Sequence, residues 1–417
     1  MNLKKIFFAV IFWISLTGLV SASCVSFHKG KLQDGIWRAE LSVFKGKKVP
    51  FLFEVKNANT DSAVLTLING EERVPLKGIY YHSDTVFIPI ESYDATIKAR
   101  ISGDNLEGSF IRNYIKNDPG IPFKAERKNA PRFELPANPT QISIEGKWDV
   151  FFIGEKNDTI RNVGNFASKN KIVTGSILTN YGDLRFLEGT VTEKGVQLSA
   201  FSGLSPYLIE INFTDGDSFE GIFYTARGQT KLHGKRNYNA SLDDAYSIAK
   251  LKKGFDRLHF QLPNFEGKII SLDDERYRNK VVIVSILGSW CPNCLDEIEY
   301  LSPWYKENKD RGVEIIGLAF ERKNDFNYAK TAIDRLKKNY GIDYEIVFAG
   351  RANAESIARS LPEIENFSSY PTTIFIDKKG KVRKIHTGFS GPATGAFFDE
   401  FKKEFNDLID SLVNEVL

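Results

Sequence analysis

The run Val281-Val-Ile-Val-Ser-Ile-Leu-Gly-Ser-Trp-Cys291-Pro292-Asn293-Cys294-Leu-Asp-Glu297 leaves this chain few folds to choose from. It begins as a β-branched, almost wholly apolar stretch of strand character, breaks at Gly288-Ser289-Trp290, and delivers two cysteines two residues apart. Leu295, Ile298, Leu301 and Trp304 then recur at helical spacing with acids between them. Strand, loop, Cys-x-x-Cys, helix is the setting in which such a pair reads as a redox dithiol.

The spacing has a chemical reason. With Cys291 as the helix cap and Pro292 as the first helical residue, the Cys291 sulfur faces unpaired backbone N–H groups. Those groups favour a thiolate, the nucleophile of disulfide exchange. Cys294, one turn further on, is placed to attack the mixed disulfide and release the product. The competing reading is half of a zinc site. Zinc takes four ligands, but the one remaining cysteine is Cys24, and His28, His82, His233, His259 and His386 are scattered without ligand spacing. No metal site and no cofactor is expected.

Three pieces in order, Leu262-Pro263-Asn-Phe-Glu-Gly267, Trp290-Cys-Pro-Asn-Cys294 with Glu297, and Tyr370-Pro371-Thr372-Thr-Ile-Phe-Ile-Asp377, resemble the TlpA/ResA-type thioredoxin-like thiol–disulfide oxidoreductases. The resemblance covers about the last 160 residues, the size of one domain. It implies that Cys291 is the nucleophile, that Cys294 resolves, and that Pro371 is cis and faces the dithiol. Ordinary thioredoxins carry a buried Asp six residues before the first cysteine, where this chain has Ser285; TlpA/ResA relatives use a Glu where this chain has Glu297. The proline usual two residues after that Glu is replaced by Glu299. A first-turn carboxylate beside a partly buried thiol can hold or take the Cys294 proton, whereas Asp296 reads as an acid complementing the helix dipole. A proline at a strand entry donates no backbone bond, so the backbone of Tyr370 stays open to pair with an extended client segment. Trp290 and Pro292 flank the dithiol and join Tyr370 and Pro371 as the expected docking surface. The resemblance further implies client proteins with cysteines and a membrane thiol carrier as the source of electrons.

Residues 1–23 read as a secretory leader: Lys4-Lys5, an apolar stretch from Ile6 to Val20, and the small-residue exit Ser21-Ala-Ser23. The apolar run is too short and too N-terminal to favour a permanent membrane span. Losing it removes two lysines and no acids, which takes the net charge from +3 to +1. That balance argues against a nucleic-acid footprint. Cys24 directly after the exit resembles a bacterial lipoprotein processing site, which would make it a lipid anchor in the periplasm or cell envelope. Cleavage after Ala22 is the alternative.

Between residue 25 and about 250, short alternating runs such as Val49–Val55, Ala63–Ile68 and Thr85–Ile90 alternate with Asn-Gly, Ser-Asp and Gly-Asp turns, the pattern of antiparallel sheet. The stretch is duplicated. Gly35-Ile-Trp37 recurs 111 positions later as Gly146-Lys-Trp148, and Leu76-Lys-Gly78 recurs at the same offset as Leu187-Glu-Gly189. Gly103-Asp-Asn-Leu-Glu-Gly-Ser-Phe110 returns as Gly216-Asp-Ser-Phe-Glu-Gly-Ile-Phe223, and the copies end on basic strands with Arg127 and Arg236. A Gly-x-Trp opening strand with an Arg on the last resembles the lipocalin-like small barrels, where the Arg lies across the Trp and closes the barrel base. Pro131 to Pro139 reads as a stiff linker, and Ala240 to Ala249 as a short connecting helix.

From 255 the pattern becomes alternating strand and helix, closed by a helix with Phe397, Phe401, Phe405, Leu408 and Leu412 on its apolar face. The expected architecture is multidomain: a leader (1–23), two repeated antiparallel all-β domains as small barrels or sandwiches (24–130 and 140–237), a linker (238–254), and an α/β thioredoxin-like domain (255–417). The expected function is an exported disulfide reductase acting on client proteins. The alternative is a ligand- or partner-binding envelope lipoprotein whose β-domains carry the main role.

Overall fold

The computed structural model describes residues 30–416; the leader and Cys24 lie outside them. Among the described residues no helix is long and apolar enough to cross a membrane. Two nine-stranded antiparallel sheets precede an α/β domain, so the fold class is multidomain, all-β repeated and then thioredoxin-like.

Each β-domain is a meander whose first strand returns to pair with its last: Gly35–Ser42 with Ile121–Arg127, and Gly146–Ile153 with Gln229–Arg236. The second sheet closes on itself, because Thr159–Lys169 pairs with Ile172–Thr179. The first is left open between Glu72–Leu76 and Tyr80–His82, its two end strands. The duplication holds at the level of single contacts. Trp37 Nε1 donates to Gln33 O at 3.0 Å, and Trp148 Nε1 donates to Ile144 O at 2.7 Å. Arg127 Nε donates to Asp104 Oδ1 at 2.7 Å, and Arg236 Nε to Asp217 Oδ1 at 2.8 Å. The repeated Gly-Asp motif therefore supplies the acid that orients each terminal arginine, and its second glycine admits a neighbouring strand: a Cβ on Gly108 would lie 2.0 Å from Lys98 O, and one on Gly221 2.5 Å from Glu210 O.

The arginine expected across the tryptophan is there in one copy. The Arg236 guanidinium lies 4.2 Å from the Trp148 ring centroid. In the first copy Arg127 is drawn to Asp104 at the surface, and Trp37 stacks instead on Phe53 at 5.9 Å. The barrel interiors are filled with side chains. Phe51, Phe53, Phe110 and Phe123 crowd the first, and Phe201 from the second copy enters the same cluster, 4.8 Å from Phe51 and 5.1 Å from Phe110.

Two expectations are corrected. Pro131–Pro139 is more than a spacer, since Arg132 is buried between the copies, donating to Ile68 O at 2.6 Å and Ser199 O at 2.9 Å. The segment from Ala240 to Ala249 forms turns, not a helix. Asp243 and Asp244 are drawn off a helical path by Asn180 and by the Tyr246 N–H, while Ala245 O accepts from Thr387 N.

The third domain carries a five-stranded mixed sheet in the order Glu345–Arg351, Val313–Glu321, Val281–Leu287, Thr372–Ile376, Val382–Thr387. The first three strands are parallel and the last two antiparallel. One face packs on helices α1 (Pro292–Asn308), α2 (Phe326–Tyr340) and α4 (Ala396–Asn414), the other on α3 (Ala354–Ser360) and the entry segment around Leu258, Phe260 and Ile270. Helix α1 runs unbroken over 17 residues despite Glu299, with its proline at position 303. The core of the first β-domain is continuous with the α1/α4 face of the sheet. Removing the bridging side chain should be felt throughout: Phe201→Ala is expected to cost about 3–5 kcal/mol in denaturant unfolding, whereas Tyr238→Ala, at a 69% exposed position, should leave the midpoint unchanged.

Candidate active site

The central strand Val281–Leu287 is buried along its whole length and carries the chain to the edge of the sheet, where Gly288 to Trp290 turn it into α1. Cys291 is the N-cap, in extended conformation, and Pro292 is the first helical residue. The Cys291 sulfur accepts the Cys294 N–H at 3.2 Å. A helix N-terminus and an aimed N–H both favour negative charge on that sulfur. Cys291 is 5% exposed and Cys294 is fully buried; both are free thiols. Burial holds the Cys294 thiol well above the ordinary range, and the Cys291 sulfur and Glu297 push it the same way. The two cysteines are thus unequal: one at the surface end of the helix, one beneath it.

The Tyr370–Pro371 bond is cis, and Tyr370 O lies 3.4 Å from the Cys291 sulfur. Trp290 anchors its indole N–H on Phe320 O at 3.0 Å and meets the Tyr370 ring edge-on at 5.4 Å. Trp290, Cys291, Pro292, Tyr370 and Pro371 therefore converge around one sulfur. Cys24 lies outside the described residues.

Glu297 lies 1% exposed under the first turn of α1. Its carboxylate accepts from Ser285 Oγ at 2.8 Å and from Thr373 Oγ1. Burial pushes its carboxyl up to about 7, against the pull of these two hydroxyls. Ser285, at the position where ordinary thioredoxins have an Asp, thus donates to Glu297. A second buried acid, Glu321, accepts from the backbone N–H and the hydroxyl of Ser289 at 2.9 and 2.8 Å and fixes the turn ahead of Trp290. The sequence reading passed over it, although a carboxylate ending the apolar run Val313–Phe320 was a signal that could have been followed.

Both β-domains reach this site. Arg322 donates to Tyr93 O at 3.1 Å, with its guanidinium 3.7 Å from the Tyr114 ring and 5.7 Å from the Trp290 ring. From the second copy, Tyr181 O accepts from Ser369 Oγ at 2.7 Å, and Arg185 Nη1 donates to Pro292 O at 3.0 Å and Asp296 Oδ1 at 2.7 Å. Asp296, expected to be a plain dipole-complementing acid, is instead a buried partner of Arg185; burial pushes its carboxyl up to about 7.

Because the Glu297 carboxyl titrates higher folded than unfolded, the folded chain holds the extra proton between about pH 4.5 and 7. Its contribution is therefore present below that window and lost as pH rises through it. Relative to wild type, Glu297→Gln should gain stability between pH 5 and pH 8, by up to about 3 kcal/mol. Thermal or denaturant unfolding at the two pH values checks this; an unchanged difference would remove Glu297 from the titrating groups.

The chain matches the model of the AhpC/TSA family over residues 256–385. It is 31% identical over 151 residues to the thiol-disulfide oxidoreductase ResA of Bacillus subtilis, covering 36% of this chain and 74% of that protein. To the ResA of Halalkalibacterium halodurans it is 28% identical over 160 residues, 38% of this chain and 77% of the relative. A crystal structure of a thioredoxin-family thiol:disulfide interchange protein from Chlorobium tepidum covers 39% of this chain and 99% of its own, at 21% identity and a TM-score of 0.29. Together with the dithiol at the head of α1, the extent of the match to the Bacillus protein means that the chain belongs, through its C-terminal domain, to the ResA family of thiol–disulfide oxidoreductases.

Proposed function

We propose that the protein is an exported disulfide reductase of cysteine-containing client proteins. The observation that carries this reading is the inequality of the two thiols: Cys291 at the helix cap with an N–H on its sulfur, Cys294 fully buried. The Cys291 thiolate attacks a client disulfide; one client sulfur bonds to Cys291 and the other leaves as a thiolate and takes a proton. Cys294 then gives its proton to Glu297 and attacks the Cys291 sulfur. The mixed disulfide breaks, the second client thiol departs, and the enzyme is left with a Cys291–Cys294 disulfide. Two electrons have passed to the client, and a thiol carrier at the membrane restores the dithiol. Trp290, Pro292, Tyr370 and Pro371 form the surface on which the client segment lies, Tyr370 offering its backbone beside the attacking sulfur.

The reducing direction follows the TlpA/ResA resemblance. Burial of Cys294 keeps the resolving sulfur a neutral thiol until the mixed disulfide has formed. The leader and the Ser21-Ala-Ser23-Cys24 exit support export to the periplasm or envelope with Cys24 as lipid anchor. The interiors of both β-domains are packed with side chains.

Cys294→Ser is expected to accumulate mixed disulfides with a disulfide-bonded test protein, and Cys291→Ser to form none and to reduce nothing. Non-reducing electrophoresis with mass spectrometry reads both. Trapping through Cys294 in the Cys291→Ser variant would contradict the assignment. Glu297→Gln should form the mixed disulfide at the wild-type rate and resolve it about 10²-fold or more slowly. Equal slowing of both steps would argue that Glu297 acts on the fold alone.

A further inference from the structure

The loop Tyr181–Arg185 of the second β-domain touches three separate pieces of the active site. Tyr181 O accepts from Ser369 Oγ, next to the Tyr370–Pro371 bond. Asp183 accepts the Gly391 N–H at 2.8 Å, and its carbonyl lies 3.5 Å from Asn293 Nδ2, inside the Cys-Pro-Asn-Cys turn. Gly182, at φ +143°, is packed so closely that a Cβ there would lie 2.1 Å from the same Asn293 nitrogen. Arg185 then binds the first turn of α1 at two points, the Pro292 carbonyl and the Asp296 carboxylate.

Arg185 is held for this contact. It adopts φ +56°, which non-glycine residues seldom take. Its other face is met by the first β-domain: Nε and Nη2 both donate to Glu72 Oε1, at 3.0 and 2.5 Å, and Glu72 is held in turn by Asn69 Nδ2 at 2.8 Å and Ser202 Oγ at 2.6 Å. The guanidinium is enclosed among all three domains, and its positive charge stands beside the end of α1 that carries Cys291. A charge there adds to the field of the helix N-terminus, and low-dielectric surroundings strengthen it.

We propose that Arg185, supplied by the second β-domain, is a positioning residue for the dithiol: it fixes the Cys-Pro-Asn-Cys turn and raises the nucleophilic reactivity of Cys291. The β-domains thereby complete the active site. This rests on the assignment of Cys291 as nucleophile, and the two can fail separately.

The test is the rate at which iodoacetamide alkylates the reduced full-length protein at pH 8, with the modified cysteine located by mass spectrometry. Arg185→Met keeps most of the side-chain volume and removes the charge; alkylation of Cys291 should fall about tenfold. Arg185→Lys keeps the charge and should stay within about twofold of wild type. Asp296→Asn removes a counter-charge and should speed the reaction, opposite in sign to Arg185→Met. The equilibrium constant with glutathione should shift towards disulfide in Arg185→Met, again about tenfold, or about 30 mV. A wild-type rate in a folded Arg185→Met, or equal slowing in Arg185→Met and Asp296→Asn, would overturn the proposal. Should Arg185→Met not fold, the other two variants decide it: a near-wild-type rate in Arg185→Lys with a faster one in Asp296→Asn supports the proposal, and slowing in both would overturn it. Alkylation of Cys294 ahead of Cys291 in the wild type would instead overturn the nucleophile assignment.

Discussion

The Cys294 N–H donated to the Cys291 sulfur holds the dithiol at the head of its helix, and much of the surrounding structure keeps that contact in place. It exists because Cys291 stops the strand and Pro292 starts the helix, so that one residue can cap the backbone with a thiol. Glu321 fixes the turn on one side through Ser289, and Asp296 ties the following turn to Arg185 on the other. Glu297 lies beneath, sharing two hydroxyls from neighbouring strands. The result is a pair of sulfurs in unlike environments, which is what an enzyme needs if one is to attack and the other to wait.

Burial sets the electrostatics of this arrangement. Three acids lie under or beside the first turns of α1, at positions 296, 297 and 321, and burial raises each of them. Each is met differently: by a guanidinium, by two side-chain hydroxyls, and by a serine that supplies both backbone and side chain. Burial pushes both the Asp296 and the Glu297 carboxyl up to about 7, one against a guanidinium and the other against two hydroxyls. Adjacent acids on one helix thus face different partners, Asp296 the second β-domain and Glu297 the strands beneath the dithiol.

What could be read from the chain was what short-range order encodes. The strand–cysteine–helix run, the Tyr-Pro-Thr entry and the 111-residue repeat are sequence patterns, and the elements they imply are present. The contacts that join the domains were not legible. Arg185 meets Asp296 and Pro292 across more than a hundred residues and lies in a loop whose neighbours resemble any turn. Arg132 looked like part of a Pro-rich spacer, yet is among the most buried charges described. Ala240–Ala249 had helical composition, but docking against Asn180 and Thr387 overrode that weak propensity. Repeated Gly-x-Trp and Arg residues announced two equal barrels; only the second places Arg over Trp, where Arg236 also donates to Glu145 O and Ser143 O.

The central claim is that this dithiol reduces client disulfides, and its reduction potential in the full-length protein tests that most directly. Trp290, against the Cys291 loop, should report the redox state by fluorescence in glutathione or dithiothreitol buffers. A value near or below about −250 mV, in the thioredoxin range, is the predicted result. A value above roughly −180 mV would make the protein an oxidant or isomerase and contradict the account.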